Sequence, residues 1–200
     1  MDLRNKTSYI VGLILLIAIV AAVVVWQSNQ EKLYDAKANV NLVQIKKFHI
    51  SSDSTELKTF AEGTMFVQGS NGSAEQVQIV AQIEVDPNDW GGVAFYIPHD
   101  WYISEITSSF PEKSALKPLD YMSRWTTADT DSKWRAWVEI GRDRSYKPIG
   151  GGKGTIVIDV VPDKKMNPSA ELFNLGIEVG SAEKDGQKLM GTDSIEVPIW

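Results

Sequence analysis

From Tyr9 to Trp26 the chain reads YIVGLILLIAIVAAVVVW, eighteen residues without a charge. A soluble strand is shorter than this, and a soluble helix keeps a polar stripe. At about 1.5 Å per residue the run covers roughly 27 Å as a helix, close to the hydrocarbon thickness of about 30 Å. Tyr9 and Trp26 bracket it where interfacial aromatics belong. The sequence therefore predicts one transmembrane helix over residues 9–26, behind a short tail, residues 1–8. Arg4 and Lys6 supply a signal-like basic start, and Val20-Ala21-Ala22 offers a small-residue cleavage site. The apolar run nevertheless continues through Val23, Val24 and Val25 and exceeds a signal core of about 7–15 residues. An uncleaved signal-anchor is the expectation. Lys32 and Lys37 follow the span, so charge bias says little, and the signal-like N-terminus places the rest of the chain on the extracytoplasmic side.

Residues 27–41, QSNQEKLYDAKANVN, are polar and rich in helix formers, a stalk or linker. From Leu42 the apolar period becomes two. In QVQIVAQIEV, residues 76–85, Val77, Ile79, Ala81, Ile83 and Val85 share one face while Gln78, Gln82 and Glu84 share the other. That is the pattern of a half-solvated antiparallel strand. Asp86-Pro87-Asn88-Asp89 ends it and Gly91-Gly92 opens the next run, VAFYI. Further strands are expected around Val43 and Ile45 and over 64–68, 101–106, 134–140, 155–161, 172–179 and 194–199, nine in all. Turn residues separate them, and no long helical stripe follows residue 41. The fold class is thus mainly β, an antiparallel β-sandwich over 42–200, with a closed barrel fitting almost as well. An α/β sheet fits poorly because the crossover helices are missing. Trp200 follows the last expected strand directly, so no further domain is expected after it.

Composition narrows the function. The net charge of −6 leaves no basic face for nucleic acid. The absence of cysteine excludes disulfides, thiolate nucleophiles and cysteine-based metal centres. The run Gly150-Gly151-Gly152-Lys153-Gly154-Thr155 is no phosphate loop, since Lys153 precedes Gly154 and a strand follows. Asp86-Pro87-Asn88-Asp89-Trp90-Gly91 begins like an EF-hand loop, but Trp90 and Ile97 occupy ligand positions. A looser structural calcium site from Asp86, Asn88 and Asp89, or from Asp129 and Asp131, is the one cofactor the acidic turns suggest. Otherwise such residues satisfy turn N–H groups. His49 and His99 lie in no ligand pair, and no Gly-x-Ser-x-Gly accompanies the neighbouring His99 and Asp100. A carboxylate pair of the glycosidase kind leaves no trace in sequence, so a hydrolase is the third reading.

Aromatic residues crowd positions 90–146. Trp134 shares its strand parity with Ala136, Val138 and Ile140 and is expected in the core. Trp137, on the parity of Arg135 and Glu139, is expected outside. Trp90 lies in a turn and Trp125 in a polar stretch, and together Trp90, Trp125 and Trp137 form the candidate binding platform, because exposed indoles stack on sugar rings and anchor protein partners. Residues 107–133 are the longest stretch without alternation, expected as a recognition loop or a lid over one sheet edge. Asn71-Gly72-Ser73 is a formal glycosylation sequon.

Three segments resemble the cohesin-like sandwiches of prokaryotic surface proteins: VQIVAQIEV with DWGGVAFYIP, then WYISEI, then GTIVIDVVPDKK with LFNLGIEVGSAEKDGQKL and SIEVPIW. They cover about half of the domain. The resemblance implies a jelly-roll or immunoglobulin-like fold with a binding or scaffolding role, and no residues of a dockerin-binding pattern are matched. The expected function is a membrane-anchored extracytoplasmic module that binds a partner protein or glycan. A structural subunit of a membrane or cell-surface complex is the alternative.

Overall fold

A computed structural model of the chain describes residues 41–52, 57–70, 73–112, 121–163 and 172–199. The expected tail, the membrane helix at 9–26 and residues 27–40 of the stalk lie outside the described residues, as does the Asn71-Gly72 part of the sequon. Among the described residues no helix is long and apolar enough to cross a membrane.

Alternation in the sequence becomes alternation in burial. Along Ser73–Val85, the residues from Val77 onward switch between buried and accessible at every step, with Val77, Ile79, Ala81, Ile83 and Val85 inward. The described residues form ten strands: β1 (Asn41–Ser51), β2 (Phe60–Ser70), β3 (Ser73–Val85), β4 (Val93–Pro98), β5 (Trp101–Ser108), β6 (Met122–Thr126), β7 (Trp134–Ile140), β8 (Gly152–Pro162), β9 (Phe173–Lys184) and β10 (Gln187–Ile199). They form two five-stranded sheets. Sheet A has the order β1-β2-β3-β8-β5 and sheet B the order β10-β9-β4-β7-β6. Two separate sheets with shared inner apolar faces make this a sandwich-like β architecture, not a closed barrel. The strand that the sequence pattern does not predict is β6, which lies inside the stretch 107–133. Its residues Met122-Ser123-Arg124-Trp125-Thr126 are half-buried or exposed because β6 is an edge strand of sheet B. With one half-open face, it carries no apolar alternation to read.

The core is built by the two inner faces. Phe48 of β1 meets Phe95 of β4 edge to face with centroids 6.3 Å apart, a contact that spans the two sheets. At one end Trp101 packs on Phe173 at 4.5 Å. At the other, Phe110 from the stretch after β5 is fully buried and meets Tyr121 at 6.0 Å. Gly154 makes this possible, since a Cβ there would stand 2.5 Å from the Phe110 Cα. The start of the long loop is therefore core, not lid.

One irregularity rearranges the aromatic residues. Between β4 and β7, Ile97 faces Ala136 while Pro98 faces Trp134, so Arg135 is an extra residue on β7. A bulge of this kind shifts the side-chain parity beyond it. Trp134, expected in the core, instead lies on the outer face of sheet B. Its ring sits against Tyr96 at 5.7 Å and over Gly176, where a Cβ would come within 2.9 Å of the indole. The extra residue is itself used: Arg135 Nη1 donates to the His99 carbonyl at 3.2 Å and to Asp163 Oδ2 at 2.9 Å.

Phe110→Ala is expected to lower unfolding free energy by about 3–5 kcal/mol through lost burial and the cavity left behind. Urea denaturation of the two proteins side by side measures this; a loss below about 1 kcal/mol would show that the loop, and not the core, owns Phe110.

Candidate functional site

The outer face of sheet B gathers three tryptophans and a tyrosine. Trp125 of β6 stands opposite Trp137 of β7, and Trp137 opposite Tyr96 of β4. Gly176 of β9 stands opposite Tyr96, and Glu196 of β10 opposite Gly176. One row thus crosses all five strands, and Trp134 lies over its glycine. Trp125 is 40% exposed, the other rings half-buried. Tyr96 and Trp137 are stacked with centroids 6.2 Å apart. Lys133 holds its ammonium 4.9 Å from the Trp134 ring, and Arg144 its guanidinium 4.5 Å from the Trp125 ring. Each of these cations covers an indole surface that a flat ligand would otherwise use.

Beneath one side of the row lies a charged network. Glu139 is only 2% exposed and stands opposite Ser123, whose hydroxyl donates to it at 3.3 Å. Arg144 donates to both of its oxygens, at 3.2 and 2.7 Å. Arg142, 4% exposed, donates through Nε to the Gly91 carbonyl at 2.6 Å and through Nη1 to Tyr96 and Glu139, each at 3.4 Å. Its Nη2 lies 3.6 Å from Glu178 Oε2 but has no hydrogen-bond acceptor among the described residues. Tyr96 Oη donates to the same Glu178 oxygen at 2.6 Å. Two carboxylates and two guanidiniums thus balance within one cluster, as a buried charge requires.

These contacts set the protonation states. Burial pushes the Glu139 carboxyl up, but the Arg144 hydrogen bond and the charges of Arg142 and Arg144 outweigh it and hold the group below its ordinary range. A general acid needs the opposite shift, so Glu139 is not placed for glycosidase-like proton donation. Burial, followed by the hydrogen bond to Glu178, pushes the Tyr96 hydroxyl up to about 12, against the pull of Arg142.

Of the three sequence-predicted indoles, the structure brings Trp125 and Trp137 together and sets Trp90 apart. Trp90 packs edge to face on Tyr146 at 5.2 Å, and its carbonyl accepts the Asp143 N–H at 3.0 Å. Asp143 shapes that turn by accepting the N–H groups of Ser145 and Lys147, both at 3.0 Å, and Tyr146 follows at φ 61°. The residues that sequence reasoning misses are Tyr96, Arg142, Arg144 and Glu178. Glu139 and Trp137 share a parity, which hints at the charged side; the loop arginines carry no periodic signal.

Asp86, Asp89 and Asp129 accept hydrogen bonds from within the chain. Asp89 is fully buried; Gly91 N donates to its Oδ1 at 2.7 Å, Ser181 Oγ to the same oxygen, and Thr59 Oγ1 to Oδ2. Asp86 accepts the N–H of Asn88 at 2.9 Å and of Lys58 at 3.1 Å. Asp129 accepts the Asp131 N–H at 3.0 Å in the β6–β7 turn. Among the described residues no group of three or more acidic or histidine side chains converges as a metal site requires. His49 and His99 are also apart in role: His49 lies 3.4 Å from Glu62, while His99 Nε2 is buried without a hydrogen-bond partner among the described residues.

No protein-family model matches this chain, and no curated protein is found similar to it.

The Tyr96 environment has a measurable signature. A folded state that holds this proton more tightly than the unfolded chain is stabilised fully below pH 10, and that stability falls as pH rises towards about 12. Denaturation series in the alkaline range should show a steeper loss for the native sequence than for Tyr96→Phe; identical slopes would show that Tyr96 ionises as an exposed phenol.

Proposed function

We propose that this chain is a membrane-anchored, extracytoplasmic binding module, and that the outer face of sheet B docks a partner protein. The observation that carries the choice of protein over glycan on this face is the covering of the outer indoles by Arg144 and Lys133. Sugar stacking needs a free aromatic face. Protein hot spots need something else: Trp, Tyr and Arg side chains, already ordered, over a flat desolvatable patch. Trp125, Trp134, Trp137 and Tyr96 supply the aromatic part of that composition on one sheet, and the loop residue Arg144 supplies the guanidinium. The membrane anchor is supported by the uncharged run 9–26, and the extracytoplasmic side by its signal-like start. The likeness of three segments to cohesin-like sandwiches points towards binding or scaffolding as well.

A photo-crosslinking residue in place of Trp125, in the full chain in its native membrane, is expected to yield one discrete product with a partner of fixed mass. Adding Arg144→Ala should reduce its yield about tenfold or more, the range of a hot-spot residue. Scattered products indistinguishable from those obtained at an exposed position of sheet A would sink this reading. A detergent-stable assembly of fixed stoichiometry would instead make the chain a structural subunit.

A further inference from the structure

The outer face of sheet A carries a groove of about 700 Å³ that shares no residue with the aromatic row. Strands β1, β2, β3 and β8 build it. Register sorts the outer side chains of this sheet into three parallel lanes that run across the strands, of which Thr64, Val80, Glu62, Gln82, Thr155 and Phe66 line the groove itself. The middle lane is Thr64, Val80 and Val157, continued by Thr107 of β5. On one side lies the lane Glu62, Gln82 and Thr155, and on the other the lane Phe66, Gln78 and Asp159. Same-face residues two apart stand about 7 Å from one another along a strand, so each polar lane flanks the apolar one at about that distance. The middle lane spans three inter-strand steps of about 4.8 Å, roughly 14 Å in all.

One polar lane is preset. Gln76 and Gln78 both donate to Asp159 Oδ1 at 3.0 Å, which fixes the two amides in one orientation. His49 closes the β1 side, 3.4 Å from Glu62 and stacked on Phe60 at 6.3 Å. Among the described residues, cations are few on this face. Lys47 and Lys153 are set against Glu62, Glu84, Asp159 and Glu105, and Lys153 is already paired with Glu84 at 2.7 Å. An anionic polymer would meet net negative charge here, whereas amides and hydroxyls offer hydrogen bonds without repulsion. The strip of Thr64, Val80 and Val157, flanked on one side by the Gln78 amide held on Asp159 and on the other by Gln82, Thr155 and Glu62, matches a chain of pyranose rings, with C–H faces inward and hydroxyls to the sides.

We propose that the groove on sheet A binds a short, uncharged oligosaccharide chain, laid across the strands along Thr64 and Val80. Phe66 is the aromatic surface beside it, and Gln82, Thr155 and Glu62 take its hydroxyls. The face is independent of the protein-docking face on sheet B, and the module has two kinds of ligand on opposite sides.

The test uses the full chain in lipid nanodiscs, free of glycoside detergents. Titration calorimetry is run with short β-1,4-linked glucan, mannan and xylan oligosaccharides, and with a hyaluronan oligosaccharide as the anionic probe. At least one uncharged probe is expected to bind, and hyaluronan not to. Phe66→Ala and Gln82→Ala should each weaken binding about tenfold, the second being an exposed substitution that leaves the fold intact. Among the described residues no tryptophan lines the groove, so indole emission should stay unchanged on binding. Failure of every uncharged probe, tighter binding of hyaluronan, unchanged affinity in Gln82→Ala, or a shift in indole emission would each overturn the proposal. None of these results bears on the crosslinking at Trp125, so the two readings fail separately.

Discussion

The buried carboxylate of Asp89 joins the two sheets where the chain crosses from β3 to β4. Its oxygens accept from Thr59 at the entrance of β2, from Gly91 in the crossing loop and from Ser181 on β9. Thr59 in turn accepts the Asp86 N–H at 3.1 Å, so loop, sheet A and sheet B share one hydrogen-bonded centre. The apolar core alone is non-directional and would tolerate sliding of one sheet over the other. A carboxylate surrounded by oriented donors tolerates no such slip, because each donor would be left buried and unsatisfied. The Gly91 carbonyl accepts from Arg142, and the charged network of sheet B is thereby referenced to this same loop.

Much of the fold is legible in the sequence because burial on an antiparallel sheet has period two. The alternation over residues 76–85 is enough to tell the core face from the solvent face, and the same rule places nine of the strands. What escapes it does so for physical reasons. β6 is a short edge strand whose residues are half-buried or exposed, so nothing apolar marks it. Trp134 has the parity of Ala136, but an extra residue, Arg135, turns it outward. The long stretch 107–133 mixes three fates: a buried plug at Phe110, an edge strand and the Asp129 turn. The candidate site is half legible. Trp125 and Trp137 stand out by their polar settings and do meet; Tyr96, two strands away from Trp125 in the row, is invisible because pairing order is a property of topology. The acidic turns look like ligands for a cation in sequence; Asp86 and Asp89 spend both oxygens, and Asp129 one, on backbone and hydroxyl donors.

The two outer faces carry different chemistry although both are sheet surfaces. On sheet B the large rings rest on one another and under cations, over carboxylates that are neutralised by arginines. Such a surface is rigid and already partly desolvated, which reduces the ordering cost of docking. On sheet A the Phe66 ring beside the groove is flanked by amides and hydroxyls, and the Lys153–Glu84 ion pair lies at the margin with its ammonium exposed. The difference follows from where the tryptophans fall, none of which lies on β1, β2, β3 or β8.

β1 begins at Asn41 and is the outermost strand of sheet A, yet it drives Phe48 and Ile50 into the core. The chain enters the domain through this strand. Any tension applied from the N-terminal side therefore passes first into the β1–β2 seam. That seam cannot open alone, because removing β1 withdraws Phe48 from beneath Phe95 and uncovers the interior between the sheets. In mechanical terms β1 is a safety catch: force is shared along an eleven-residue strand, and freeing it exposes Phe95 and the interior between the sheets.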